Sequence, residues 1–474
     1  MMARRAKQRQ PGQTVATAGP TETRRADSGQ RPAKRVKVFA CAFAMRKSRW
    51  RRNFERCNAG SFSFINDNRL LSATMYRPIS IFDAMLSERN NFDLLRLLAA
   101  LGVVLSHAYP VTQGSNASEI LMLLSGGQST LGEVCVMAFF VISGFLITQS
   151  FARSRSVIDY MSNRVLRIVP GLAVMALLTS CVLGPLVTTL PAETYWTSRA
   201  TYRFLANGLV YNTAQWLPGV FSQNSYPNVV NASLWTLAYE FSCYTAVASV
   251  GLALRRAWLP ALLLTLVTVA SVFLTWISPR LFLTFGSYFL AGSVAYLARR
   301  RIPLDGRLFV FSVGVLAATL ISKQGLHEAL LFFGSYIILW LAFRPVPSLK
   351  GLARQGDFSY GVYIYAFPIQ QVLAPVIATP VWNFLLSTPL ILLCAVLSWY
   401  LVEKPALACK RQAGHWVKGL LGIPVTRGAL MENLPDHPFH GRPADTAPSV
   451  CAGPRGAPYG PPELKPLRDS TDKL

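Results

Sequence analysis

Ten apolar stretches, each near the length of a membrane-crossing helix, constrain this chain more than any other feature. They fall near residues 92–110, 133–152, 168–189, 236–254, 257–277, 281–298, 307–322, 329–345, 358–378 and 384–402. Crossing ~30 Å of hydrocarbon takes ~20 helical residues, because no water is present there to satisfy a non-helical backbone. The expected fold is therefore all-α, a polytopic integral membrane protein with about ten transmembrane helices. Composition agrees, since 52% of the 474 residues are hydrophobic and 15% are charged, too apolar and charge-poor for a soluble chain of this size.

A net charge of +25 could suggest nucleic acid. The basic residues instead gather in tails and short loops, without the aromatic interleaving of a nucleic-acid surface, so no nucleic-acid partner is expected. Arg153, Arg155, Arg164 and Arg167, then Arg255 and Arg256, then Arg299, Arg300 and Arg301, then Arg344, Lys350 and Arg354 fall on one side of the ten-helix arrangement. Arg199, Arg203, Arg280 and Lys323 fall on the other. Lys and Arg near span ends resist translocation, so both termini are expected in the cytoplasm. The partner is then a lipid bilayer, expected to be a bacterial inner membrane.

Residues 1–78 form a basic N-terminal extension, read as disordered, as a surface-binding tail, as a transit peptide or as sequence upstream of a start at Met75. The transmembrane domain spans 88–408, and residues 409–474 read as a Pro- and Gly-rich cytoplasmic tail. The eight cysteines form no CxxC pair and four lie in apolar stretches, so they read as small packing residues; no metal site is expected.

Ionisable groups inside an apolar helix are costly and face a cavity or a partner. The first stretch carries three: Asp93, Arg96 and His107. Eleven residues at ~100° each bring His107 within ~20° of Arg96, ~16 Å along one helix face. An imidazole titrates near neutrality and can take a proton from a hydroxyl or carry an acyl group. A lone His hydrogen-bonded at a helix end is the plainer alternative. Glu240 in the fourth stretch is placed by the same topology at the depth of His107, where a carboxylate could orient the ring, or it is an interfacial residue. Arg164 and Arg167 sit at the cytoplasmic mouth of the third stretch, as phosphate-binding forks or as topology determinants. Ser143, Gly144 and Phe145 read as close helix packing. A long outer loop, about 191–234, carries Tyr195, Trp196, Tyr202, Tyr211, Trp216, Phe221 and Tyr226, as headgroup anchors or as a sugar-stacking surface. Buried Arg, His and Glu also line transport pathways, so a transporter or lipid-glycan flippase is the rival reading.

Taken together, the chain resembles the acyltransferase-3 superfamily, membrane O-acyltransferases that include polysaccharide O-acetylases. The resemblance covers about residues 88–408. It rests on Arg96 and His107 with ten residues between them, Phe139 to Ile147, Arg164 to Pro170, Leu217 to Phe221, Ser233 to Glu240, Ser359 to Tyr363 and Val402 to Pro405, in that order. It implies an acyl donor, acyl-CoA, reached from the cytoplasm as a substrate, no tightly bound cofactor, and a glycan or glycolipid acceptor on the far side. It implies catalytic roles for His107, Arg96 and Glu240 and donor binding at Arg164 and Arg167. Ala366 stands where many members of the family carry a second His.

Overall fold

The computed structural model describes residues 78–414 apart from 88–89, 155, 255, 275–277, 345–355, 411 and 413. The N-terminal extension, most of the C-terminal tail, and Arg155, Arg255, Trp276, Lys350 and Arg354 lie outside the described residues. The regular elements among those described are helices, with no named strand among them.

Each apolar stretch contains one long helix. We label them α1, Phe92–Gln113; α2, Leu131–Arg153; α3, Val157–Val187; α4, Trp235–Leu254; α5, Trp258–Leu274; α6, Pro279–Leu297; α7, Gly306–Ser322; α8, Leu326–Phe343; α9, Ser359–Leu373; and α10, Pro380–Ala408. Six of them, α1, α2, α3, α4, α8 and α10, are long and apolar enough to cross a membrane. Outward-facing leucines on α5 and α10, such as Leu262, Leu266, Leu386 and Leu393, are about half exposed. A hydrocarbon solvent accepts such a surface where water would not.

Helix starts follow from local chemistry. Thr130 and Ser156 cap α2 and α3 by accepting from the backbone N–H of Glu133 and Asp159, which satisfies donors left free at a helix N-terminus. At the other end of α1, Gly114 takes φ 74 and closes the helix with its N–H on the Pro110 carbonyl.

Three packing contacts fix the bundle. α2 and α6 run antiparallel at closest backbone approach: a Cβ on Gly144 would lie 1.9 Å from the Phe289 carbonyl, and one on Gly292 2.0 Å from that of Val141. The expected close packing at Gly144 is thus present. α1 and α9 run parallel, since Arg96 meets Asp357, Val104 meets Gln370 and His107 meets Phe367. α10 lies antiparallel to α9, with Gly361 against Ala395 and Gln370 against Asn383.

The long loop folds inward rather than lying flat. Pro368 has no N–H, so the Ile364 carbonyl one turn back on α9 loses its helical donor. The Asn231 amide supplies one at 2.8 Å. Gln371 donates to the carbonyls of Tyr226 and Val229, and Asn224 donates to Gln371. These bonds draw residues 224–231 along α9, so α4 starts deep in the bundle.

Candidate active site

A cleft opens between α1, α2, α4 and α9, lined by Arg96, Phe139, Phe140, Thr236, Glu240 and Tyr363 among others. It brings together two of the sequence-predicted residues, Arg96 and Glu240. Glu240 Oε1 accepts from Ser143 Oγ at 2.6 Å and from the Tyr244 hydroxyl. Across the cleft, the hydroxyls of Thr236 and Tyr363 share a 2.5 Å hydrogen bond.

The expectation that Glu240 orients His107 takes a different form here. His107 is not among the residues lining this cleft. Its ring packs edge-on to Phe367 at 5.1 Å, and Phe367 in turn meets Tyr226 of the long loop at 6.1 Å. Nδ1 of His107 is buried and has no hydrogen-bond partner among the described residues. The physical reason is the inward fold of residues 224–231: α4 begins deep, and Glu240, in its second turn, lands beside Arg96 rather than beside the imidazole. Arg96 and His107 nonetheless share the α9-facing side of α1.

Below the cleft lies a network of two guanidiniums and two carboxylates. Arg96 Nη1 donates to Asp357 Oδ2 at 2.7 Å. Arg167 Nη2 reaches the same oxygen at 2.6 Å, while its Nη1 donates to Glu403 Oε2 at 2.7 Å. Ser359 donates to the other Asp357 oxygen, and Ser398 to Glu403 Oε1. The Arg167 guanidinium also lies over the Tyr360 and Trp399 rings, at 5.6 and 5.2 Å. Burial alone would raise the Asp357 carboxyl, but Arg96, then Arg167 and the Ser359 hydroxyl, bring it down to about 2. Glu403 ends a π-helical turn, Trp399–Glu403, inside α10. Such a turn shifts the facing of the residues after it, here bringing the carboxylate onto Arg167.

Arg164 and Arg167 therefore part company. Both forks of Arg167 are taken by carboxylates, whereas Arg164 donates from Nη2 to Ser150 Oγ at 3.3 Å and its buried Nε has no partner among the described residues. Asp357, Glu403, Ser143 and Tyr244 were not picked out as site residues by sequence reasoning. Two buried arginines in a chain short of acids were the available signal for the first two.

A second pocket lies at the far end of α9, bounded by Thr189, Ser222, Gln223, Asn224 and Gln371 over Val187, Phe221 and Pro375. Its lining is neutral, and Phe221 there adopts φ 55, an unusual conformation for a bulky residue. In the loop beside it, Tyr195 and Phe221 are buried, while Trp196, Tyr202 and Trp216 are exposed.

A family model described as an acyltransferase domain, acyltransferase family 3, matches residues 89–403. A protein named O-acetyl transferase from Shigella phage Sf6 is 31% identical over 337 residues, covering 67% of this chain and 96% of that protein. Nodulation protein 10 of Rhizobium leguminosarum bv. viciae is 29% identical over 358 residues, covering 68% and 94%. No solved structure matches. With the family model matching residues 89–403 and a relative 31% identical over 67% of its length, the chain belongs to the acyltransferase-3 family.

Proposed function

We propose that this acyltransferase is an O-acetyltransferase that moves acetyl from cytoplasmic acetyl-CoA to a hydroxyl of an envelope polysaccharide or glycolipid. Its chain crosses a bacterial inner membrane ten times, with both termini in the cytoplasm. The observation that carries this reading is the placing of Arg96, in the cleft with Glu240, and His107 on one face of α1, both turned toward α9. The name of the phage relative supports acetyl as the group transferred.

In this reading, Arg164, with a guanidinium held by one hydroxyl, binds donor phosphate at the inner mouth, and Arg167 braces the wall from behind. Arg96 hydrogen-bonds the inner part of the donor. His107 takes the proton from the acceptor hydroxyl as its oxygen attacks the thioester carbonyl, and CoA leaves as the thiolate, which is then protonated. The neutral amides and hydroxyls of the second pocket suit a sugar acceptor, and that pocket lies one turn of α9 beyond Phe367, the residue against which His107 packs.

The test is transfer of labelled acetyl from acetyl-CoA into envelope glycan by membranes containing the protein. Wild-type membranes are expected to label the glycan. Membranes with His107→Ala at equal abundance are expected to label it at least ~100-fold less, the usual scale of acid–base catalysis. Equal labelling by the two would sink the assignment.

A further inference from the structure

Arg96 and Glu240 face one cleft as opposite charges within electrostatic reach of each other, yet no ion pair forms between them. Glu240 is satisfied by Ser143 and Tyr244, and Arg96 is drawn away by Asp357, which does not line the cleft. Asp357 is itself fixed from the rear by Arg167 and Ser359. Opposite charges attract strongly where water is scarce, and a buried guanidinium robbed of its partner is penalised. Freed from Asp357, Arg96 would therefore turn to the next carboxylate, Glu240, and close the cleft from the inside. In the structure, Arg96 Nε is buried and has no hydrogen-bond partner among the described residues.

We propose that Asp357 is a positioning residue that holds Arg96 off Glu240, keeping the cleft open and leaving the Arg96 Nε–H for a neutral carbonyl oxygen of the acyl donor. Because Asp357 already balances the guanidinium charge, the group Arg96 receives is an uncharged acceptor, an amide carbonyl of the donor's inner part, and not a phosphate. The inference rests on the acetyl-CoA-dependent reading above.

Steady-state CoA release from acetyl-CoA by membranes of cells making the full chain tests it, with Asp357→Asn, Asp357→Glu and the double variant Asp357→Asn with Glu240→Gln. Asp357→Asn is expected to raise the acetyl-CoA KM about tenfold or more, the scale of a lost charged hydrogen bond. The double variant, lacking the carboxylate that captures Arg96, is expected to recover most of that KM while its kcat stays low. Asp357→Glu keeps the ion pair, and its KM is expected to stay within about threefold of wild type. A wild-type KM in Asp357→Asn, or a raised KM that Glu240→Gln does not relieve, would overturn the proposal. If Asp357→Asn does not accumulate in membranes, Asp357→Glu decides alone: a KM raised about tenfold overturns it. A wild-type protein that releases no CoA would instead bring down the functional reading on which this one stands.

Discussion

Arg167 on α3 and Glu403 at the end of α10, 236 positions apart, meet in a 2.7 Å ion pair in which the carboxylate side chain is 1% exposed. Removing Arg167 leaves the buried Glu403 carboxylate without a cation, at a cost of about 3–5 kcal/mol, whereas removing Glu403 leaves Arg167 still paired with Asp357. Arg167→Met is therefore expected to lower the thermal midpoint of the detergent-solubilised protein markedly, and Glu403→Gln to lower it by less. Combining the two should cost less than their sum, which a double-mutant cycle followed by thermal unfolding would check.

The α2–α6 crossing predicts opposite outcomes for two glycines. At Gly144 a Cβ would sit 1.9 Å from the Phe289 carbonyl, whereas at Gly286, on α6 itself, it would meet nothing within 4 Å. Gly144→Ala must push two backbones apart and is expected to abolish accumulation of folded protein. Gly286→Ala should be neutral or stabilising by up to ~1 kcal/mol through helix propensity. Size-exclusion profiles of the two variants in detergent separate these outcomes.

Glu240 accepts from two hydroxyls, and an amide cannot keep both bonds at full strength. Glu240→Gln is expected to lower the rate of acetyl transfer by more than about tenfold while leaving the protein folded. Ser143→Ala, which removes one donor and leaves Tyr244 in place, should cost about tenfold or less. Initial rates at saturating acetyl-CoA would measure both.

Acid should loosen the contacts of Asp357 in the network only at low pH. The Asp357 carboxyl, ordinarily near 3.8, is held at about 2 by its two arginines. A group depressed on folding contributes stability in full above its unfolded value and loses it as pH falls through its folded one. The contribution of Asp357 is thus expected to be constant from neutrality to about pH 4 and to fade between about 4 and 2. Thermal midpoints of wild type and Asp357→Asn across that range should converge toward the acid end; a difference between them that already shrinks between pH 7 and 5 would contradict the assignment.

The helices were legible because the length of an apolar run is local: each of the ten stretches holds one. The shared face of Arg96 and His107 was legible for the same reason, since one regular helix carries both. What pairs with them was not. Asp357 lies 261 positions from Arg96, and no spacing rule links residues that meet only when α1 and α9 pack. Glu240 was expected beside His107 because its place was counted from the start of a helix assumed to begin at the outer surface. The inward course of residues 224–231, set by a proline-freed carbonyl and the Asn231 amide, moved that origin. Glu403 was quoted only as part of a motif, and the π turn that aims it has no sequence signature of its own.

The side-by-side run of α1 and α9 carries a parity rule. If both cross the bilayer, they do so in the same direction, and the chain between them must traverse it an odd number of times. Seven long helices, α2 to α8, occupy that interval. Demoting any single one of them to a surface helix would reverse α9 and tear Asp357 from Arg96, so reporter fusions at successive loops would find the intervening crossings odd in number, or the pairing untenable.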